Sequence, residues 1–318
     1  MELPVGTVLE ERYTVLAPVK SGGMGAVYRV QDARLAGGIC ALKQMHDPSS
    51  LGSQASIVQY RFNEEMQVLC SLRHQGLPRV MDFFRYGGSW CIVMDFIEGE
   101  NLQQMRKARP LSQEFVVSMG IEVLDILVYL HQMSPPIIHR DIKPANIIVE
   151  KSTTHVKLVD FGLARMVDLE SDLEQTMVGT PGYAPPEQLH GRAEPRSDLY
   201  SLGATMGSLL CGLLPGAFVQ VGIRELLPDL NADLADAIDK SLHYYSADRF
   251  ADAAGMRAAL LAVQQQLANR DVPSFVDGPS TEVVRGHRAA GEEEETRERI
   301  LIVDDDIIVR TVVEEVLQ

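Results

Sequence analysis

The decisive stretch is His139-Arg140-Asp141-Ile142-Lys143-Pro144-Ala145-Asn146, followed further along by Asp160-Phe161-Gly162. It sets carboxylates, a lysine and an amide on polar loops between short apolar runs. Those runs are Ile137-Ile138, Ile147-Ile148-Val149 and Val156 to Val159, and each reads as a strand fragment. Carboxylate and amide oxygens suit a hard divalent cation, a lysine suits phosphate, and a further carboxylate can steer a hydroxyl nucleophile. Asn146 and Asp160 are separated by a pattern of strand, turn near Lys151-Ser152-Thr153, and strand. Such a hairpin lets both face one metal site. Solvated loops with turn-forming Asp and Asn are the plain alternative.

Upstream, Ser112 is placed to cap a helix running to about Gln132, with Glu114 in its first turn. Its apolar residues, from Phe115 to Leu130, cover too many faces for a surface helix, so burial is expected. The first hundred residues read as strand-rich. Tyr13 to Leu16 and Ala26 to Val30 flank a glycine cluster, which predicts a hairpin with a long tip. Ile39 to Gln44 predicts a third strand, and Val80 to Tyr86 and Trp90 to Phe96 two more. Between them Ile57 to Leu72 reads as a helix, with Phe62, Met66 and Leu69 at helical spacing. Downstream, Leu199 to Ile223 contains no charged residue, and about 20 apolar residues suffice to cross a bilayer. Its glycines, serines and Pro215 favour a buried core helix instead. Met256, Leu260, Val263 and Leu267 mark a later amphipathic helix.

The 318 residues carry 29 Lys plus Arg against 44 Asp plus Glu, a net charge of −15. That balance disfavours a nucleic-acid or anionic-membrane partner, whose phosphates it would repel. Cys40, Cys70, Cys91 and Cys211 are scattered, without metal or redox spacing, and the start of the chain has no basic-then-apolar leader pattern. A cytoplasmic protein with no membrane span is expected.

At the quoted residues the sequence resembles the eukaryotic-type serine/threonine protein kinase family, in its bacterial form, and the likeness runs from Tyr13 to Leu267. The family's catalytic-loop pattern is H-R-D-x-K-x-x-N and its metal motif D-F-G. The resemblance implies an α+β, bilobal kinase fold: a small antiparallel β-rich N-lobe with one main helix, and a larger, mostly helical C-lobe. It implies ATP and magnesium, or manganese in its place, as cofactors, and protein Ser/Thr hydroxyls as acceptors. Asp141 would take or orient the acceptor proton and Lys143 would steady the transferring phosphate. Asn146 and Asp160 would hold the metal. Ala41-Leu42-Lys43 is similar to the family's third-strand motif, so Lys43 would contact phosphate and pair with Glu65. Val19, Val27, Ala41 and Ile148 would sandwich the adenine, Met94 would stand behind it, and Asp95 to Ile97 would form the hinge. Taken singly, Val19, Val27, Ala41, Ile148 and Met94 read more readily as plain core residues. Gly22, Gly23 and Gly25 would cover the phosphates.

Between Asp160 and Glu187 lies the expected activation segment, in which Thr180 belongs to the part shaping the acceptor site. Glu187 would pair with Arg249, and Asp198 would anchor the catalytic-loop backbone. Arg140 beside Asp141 implies control by a phosphate on the segment, with Thr176 the first acceptor and Ser171 the second, placed there by autophosphorylation. Departures from the family pattern stand at Lys20, where a glycine is usual, and at Pro185-Pro186-Glu187, where A-P-E is usual. The segment from Cys211 to Leu226 is also short and apolar. A nucleotide-binding pseudokinase or scaffold, and a small-molecule phosphotransferase, are the rival readings.

The expected organisation is an extension over 1–12, a kinase domain over 13–268 (N-lobe 13–95, C-lobe 98–268) and an acidic linker over 269–298. A truncated β-α segment over 299–318 would end the chain. In that last segment Ile300 to Val303 followed by Asp304-Asp305-Asp306 resembles the opening of a response-regulator receiver domain. It is too short to hold the later strand that carries a receiver's phospho-accepting aspartate. Either the chain is a piece of a longer form with a receiver or other signalling domain, or the tail is a remnant; an acidic helix cap after a short strand is the plain alternative.

Overall fold

Alternation along the strand Gly38–Met45 divides the first half of the molecule into two faces. Cys40 and Leu42 point into an outer core with Leu9, Tyr13, Val15, Tyr28, Val30, Cys91 and Val93. Ala41 and Lys43 point the other way, as side chains one residue apart on a strand must. The computed structural model describes residues 2–22, 25–45, 63–64, 66–107, 110–160 and 180–270. The chain divides into two units, Met1–Pro273 and Ser274–Gln318, and every described residue belongs to the first. The linker and receiver-like tail therefore lie outside the described residues, apart from the end of the last helix.

The N-terminal half is built on β1 (Val8–Leu9), β2 (Tyr13–Gly22), β3 (Gly25–Asp32), β4 (Gly38–Met45), β5 (Val80–Tyr86) and β6 (Ser89–Asp95). They form one antiparallel sheet in the order β1-β2-β3-β4-β6-β5. The hairpin expected around the glycine cluster is β2–β3, closed by the pairing of Gly22 with Gly25. Gly25 has φ 135°, and a Cβ there would run into the backbone of Gln44, so no other residue fits. Residues 2–12, read as an extension, add β1 and bury Leu3 and Leu9 in the outer core, with the Leu3 amide donating to Tyr28 Oη at 3.0 Å. Of the predicted helix 57–72, the structure describes 63–64 and 66–71 as helical (α1), with Met66 and Leu69 buried.

The second half is mostly helical. A small sheet of β7 (Gly99–Asn101), β8 (Ile147–Glu150) and β9 (Val156–Leu158) is followed in space by α2 (Leu102–Arg106) and α3 (Gln113–His131). Ser112 caps α3 by accepting from the Phe115 amide at 3.3 Å, and ten residues of the helix are buried, as its all-round apolarity predicts. Then come α4 (Pro186–Leu189), α5 (Pro195–Cys211), α6 (Ile223–Leu226), α7 (Ala232–Ser241) and α8 (Ala253–Arg270). Met256, Leu260, Val263 and Leu267 of α8 face the main core. A Cβ at Gly207 of α5 would come within 2.5 Å of the Phe218 ring, so glycine there lets the following loop pack against the helix. Among the described residues no helix is long and apolar enough to cross a membrane, and the four cysteines are free thiols.

Two expectations are corrected. The run Leu199 to Ile223 is not one helix: α5 stops at Cys211, where Gly212 takes φ 75° and its amide bonds Ser208 O. Ile137-Ile138 is not a strand and pairs with none of the described strands. Instead the Ile137 amide returns to Leu130 O at 3.0 Å, and the chain beyond is held by a side chain.

Candidate active site

That side chain is Asp198, fully buried in the first turn of α5. Its Oδ2 accepts from the His139 amide and its Oδ1 from the Arg140 amide, both at 2.8 Å, and His131 Nε2 lies 2.9 Å from Oδ2. A carboxylate thus does for this loop what a neighbouring strand would do for a strand, and it leaves the loop free to turn. Arg140 takes φ 68°, a left-handed conformation costly for a side-chain-bearing residue and kept only where neighbours fix it. Gln188 Nε2 adds to the restraint by donating to Arg140 O at 2.8 Å. His139 is fully buried; the Asp141 amide donates to its Nδ1 at 3.4 Å, so Nε2 carries the proton toward Val159 O at 3.2 Å. Burial pushes its pKa down, against the pull of Asp198 and Asp141, which favours this neutral form.

The carboxylate of Asp141 sits at the centre of the expected cluster. Asn146 Nδ2 donates to its Oδ2 at 2.8 Å and to its backbone oxygen at 2.9 Å, while Lys143 Nζ lies 2.9 Å from Oδ2. Thr180 completes a triangle: its hydroxyl donates to Asp141 Oδ1 at 3.1 Å and accepts from Lys143 Nζ at 2.6 Å. One O–H group is therefore held between a carboxylate and an ammonium. A hydroxyl about to react as a nucleophile needs that environment.

Asn146 and Asp160 flank the β8–β9 hairpin. Ile147 pairs with Leu158, and the Val159 amide donates to Asn146 O at 2.9 Å, so the two side chains leave the same end of the ladder. The hairpin expected from the sequence is present, with its turn at residues 151–153. Asp160 takes φ 59°. Burial pushes its pKa up, yet Lys43, as charge and donor, and then Lys20 outweigh this and hold it below the usual carboxylate value. Lys43 Nζ lies 2.9 Å from Oδ1, and Lys20 Nζ 3.9 Å from Oδ2. Asn146 Oδ1 is buried and has no hydrogen-bond partner among the described residues. An orphaned carbonyl oxygen beside a carboxylate is a hard-oxygen donor set, and it fits a magnesium ion that fills its remaining positions with phosphate and water.

Lys43 and Asp160 line the same cavity, of about 570 Å³. Val19, Val27, Ala41, Met94 and Ile148, each expected around an adenine ring, line it too, as do Asp95 and Ile97 of the expected hinge. The Asp95 amide is already bonded to Arg79 O at 3.0 Å, so a hinge N–H donated to a ligand would come from a later residue. Sequence reasoning missed Ala145, Val159 and Arg29 in the wall, with Arg29 stacked 5.4 Å over the ring of the hinge residue Phe96. Lys20, noted as a departure, was not expected to touch Asp160. The ladder register carries that signal, and composition hides it. His131 as a partner of Asp198 was also missed.

Apart from this cleft, Arg249 clasps Glu187 as expected: Nη1 to Oε1 at 2.6 Å and Nη2 to Oε2 at 2.9 Å, with Arg249 3% exposed. Four expected residues, Glu65, Gly23, Thr176 and Ser171, lie outside the described residues.

Comparison with known proteins agrees with this geometry. A family model for the protein kinase domain matches residues 13–228. The serine/threonine-protein kinase pkn2 of Myxococcus xanthus is 37% identical over 222 residues, 68% of this chain and 26% of its own length. Serine/threonine-protein kinase B of Synechocystis is 30% identical over 288 residues, 85% of this chain and 48% of its own. The chain thus spans from about a quarter to a half of the length of these relatives. Among solved structures, a double mutant of the Mycobacterium tuberculosis PknI kinase domain superposes with a TM-score of 0.68 at 27% identity, covering 83% of this chain and 100% of that one. The PpkA-294 apo form gives 0.68 at 26% identity, covering 81% and 99%. By family model, sequence and fold together, this chain belongs to the protein kinase family.

Proposed function

We propose that the cleft binds ATP with magnesium and transfers the γ-phosphate to Ser or Thr hydroxyls of proteins, as a bacterial signalling kinase. The observation that carries this is Lys43 standing 2.9 Å from Asp160 on the wall of one cavity, although the two are 117 residues apart in sequence. Asn146 and Asp160 would hold the metal, which supplies charge neutralisation for the phosphate oxygens when bound. Lys43 binds phosphate, and the Val19, Val27, Ala41 and Ile148 side chains exclude water from the adenine. Asp141 takes the proton of the acceptor hydroxyl. The hydroxyl oxygen bonds to the γ-phosphorus while the bond from phosphorus to the β–γ bridging oxygen breaks, and ADP leaves with that electron pair. Lys143 neutralises charge on the moving phosphoryl group. Such chemistry asks mainly for positioning, which the hydrogen bonds around Asp141 supply in advance. Thr180 between Asp141 and Lys143 marks where the acceptor hydroxyl is held.

Thr176, then Ser171, are the proposed autophosphorylation sites, with Arg140 as the counter-charge. Incubation with radiolabelled ATP and magnesium, followed by mass spectrometry of the product, tests the whole proposal. Label in the native chain, mapped to Thr176 and absent from Asp141→Asn, is expected. Equal labelling of both proteins would overturn it, and nucleotide binding without label would leave the scaffold reading in its place.

A further inference from the structure

Lys20 occupies a position where the family pattern has glycine, and the proposed chemistry gives it no role. Its placement comes from irregularity in β2, which shifts register between Val15 and Ala17 and again between Pro18 and Lys20. The second shift leaves Val19 without a cross-strand partner and sets Lys20 opposite Val27, which is itself opposite Lys43. Directly paired residues point to the same face of a sheet. Lys20, Val27 and Lys43 therefore make one row across three strands, and all three line the cavity.

Both ends of that row reach a single carboxylate, Lys43 at 2.9 Å and Lys20 at 3.9 Å from opposite oxygens of Asp160. The two lysines are not equivalent. The Lys43 side chain is 11% exposed and fixed, whereas that of Lys20 is 57% exposed and keeps most of its rotamer freedom. An exposed pair at that distance is weak, so releasing it costs little. An ammonium on a flexible stem, lining the same cavity as Lys43 and Asp160, is suited to binding phosphate as a point charge.

We propose that Lys20 is a polyphosphate-binding residue: its ammonium exchanges Asp160 for the terminal phosphate oxygens of the nucleotide. This rests on the ATP reading above. It makes Lys20 a determinant of selectivity for tri- and diphosphates over the bare nucleoside. The glycine it replaces would offer only backbone.

Calorimetric titration of the full chain with ATP, ADP and adenosine, in magnesium buffer, tests it. Lys20→Met is expected to weaken ATP binding by about five- to tenfold, to weaken ADP binding less, and to leave adenosine unchanged. Lys20→Arg is expected to bind ATP within about twofold of the native chain, since it keeps the charge. Unchanged or tighter ATP binding by Lys20→Met would overturn the proposal, as the contact would then be a barrier to entry. An equal loss for adenosine would also overturn it, because the change would then act on the sheet and not on phosphate. Failure of the native chain to bind ATP at all would remove the functional reading, and this inference with it.

Discussion

The molecule holds two carboxylates against cations in opposite ways. Glu187 is saturated: both its oxygens meet the planar fork of Arg249, and Ser197 Oγ donates to Oε1 at 2.7 Å. Arg249 is saturated in turn, donating to His243 O at 2.8 Å, Tyr244 O at 3.1 Å and Arg196 O at 3.2 Å, with the Tyr200 ring 4.9 Å from its guanidinium carbon. Asp160 meets two point charges, one close and one loose, and its side chain keeps 24% of its surface open to the cavity. The first arrangement has no spare valence and ties the start of α4 to the C-terminal helices. The second leaves oxygen lone pairs for something that arrives later. A guanidinium fork suits permanence and an ammonium suits exchange, so the choice of cation at each site already separates a fastening from a binding group.

Breaking the fastening should have the largest effect on stability. Arg249→Ala leaves Glu187 half-buried without its counter-ion and three backbone carbonyls without their donor. A loss of about 3–5 kcal/mol in unfolding free energy is expected, read from the urea midpoint. Arg249→Lys should recover little, since one ammonium cannot serve two carboxylate oxygens and three carbonyls together. A loss below about 1 kcal/mol would put Glu187 and Arg249 in the same class as the surface pairs.

The converse holds at Asp160. Lys43→Met should cut kcat/KM by about 10²- to 10³-fold, the range for removing one preorganised charge from a transition state. Its unfolding free energy should stay within about 1 kcal/mol of native. Lys20 remains as a partner for the carboxylate, and methionine fits the apolar surroundings of the stem. Activity loss matched by an equal loss of stability would mean that Lys43 supports the fold, and the contrast between the two carboxylates would fail.

What the sequence made legible follows the same division. The Asp141 to Asn146 loop and the hairpin to Asp160 were readable because local spacing places them, through a short antiparallel turn whose ends must meet. That Lys43 shares a site with Asp160 was readable only through motif resemblance, since nothing local joins residues so far apart. Lys20 was visible as a missing glycine but not as a contact, because its facing depends on a bulge that no residue type announces. Ile137-Ile138 misled because apolarity does not specify a hydrogen-bond partner: the Ile137 amide turned out to bond Leu130 O, and the side chain of Asp198 holds the His139 and Arg140 amides that follow. The break at Gly212 could have been found: a glycine ahead of Pro215 is a helix-stop signal, outweighed in the reading by the uncharged run around it.

The smallest expected effect sharpens the comparison through acid. Burial pushes the Glu187 pKa up, but the hydrogen bonds from Arg249 and Ser197 outweigh it and hold the group below its ordinary value of 4.5. A carboxyl whose pKa is depressed on folding contributes stability that is complete above its unfolded value and is lost as pH falls through the folded one. The native chain should therefore lose stability on acidification from about pH 5 to about pH 3. Glu187→Gln, already uncharged, should follow a shallower line. The difference in slope isolates this group from Asp32 and Asp160, whose pKa values are depressed too and which titrate equally in both proteins. It is read from the sign of the change in urea midpoint with pH. Parallel lines for the two proteins would show that Arg249 is held by its carbonyls and ring contact, and that the charge of Glu187 adds nothing to the fastening.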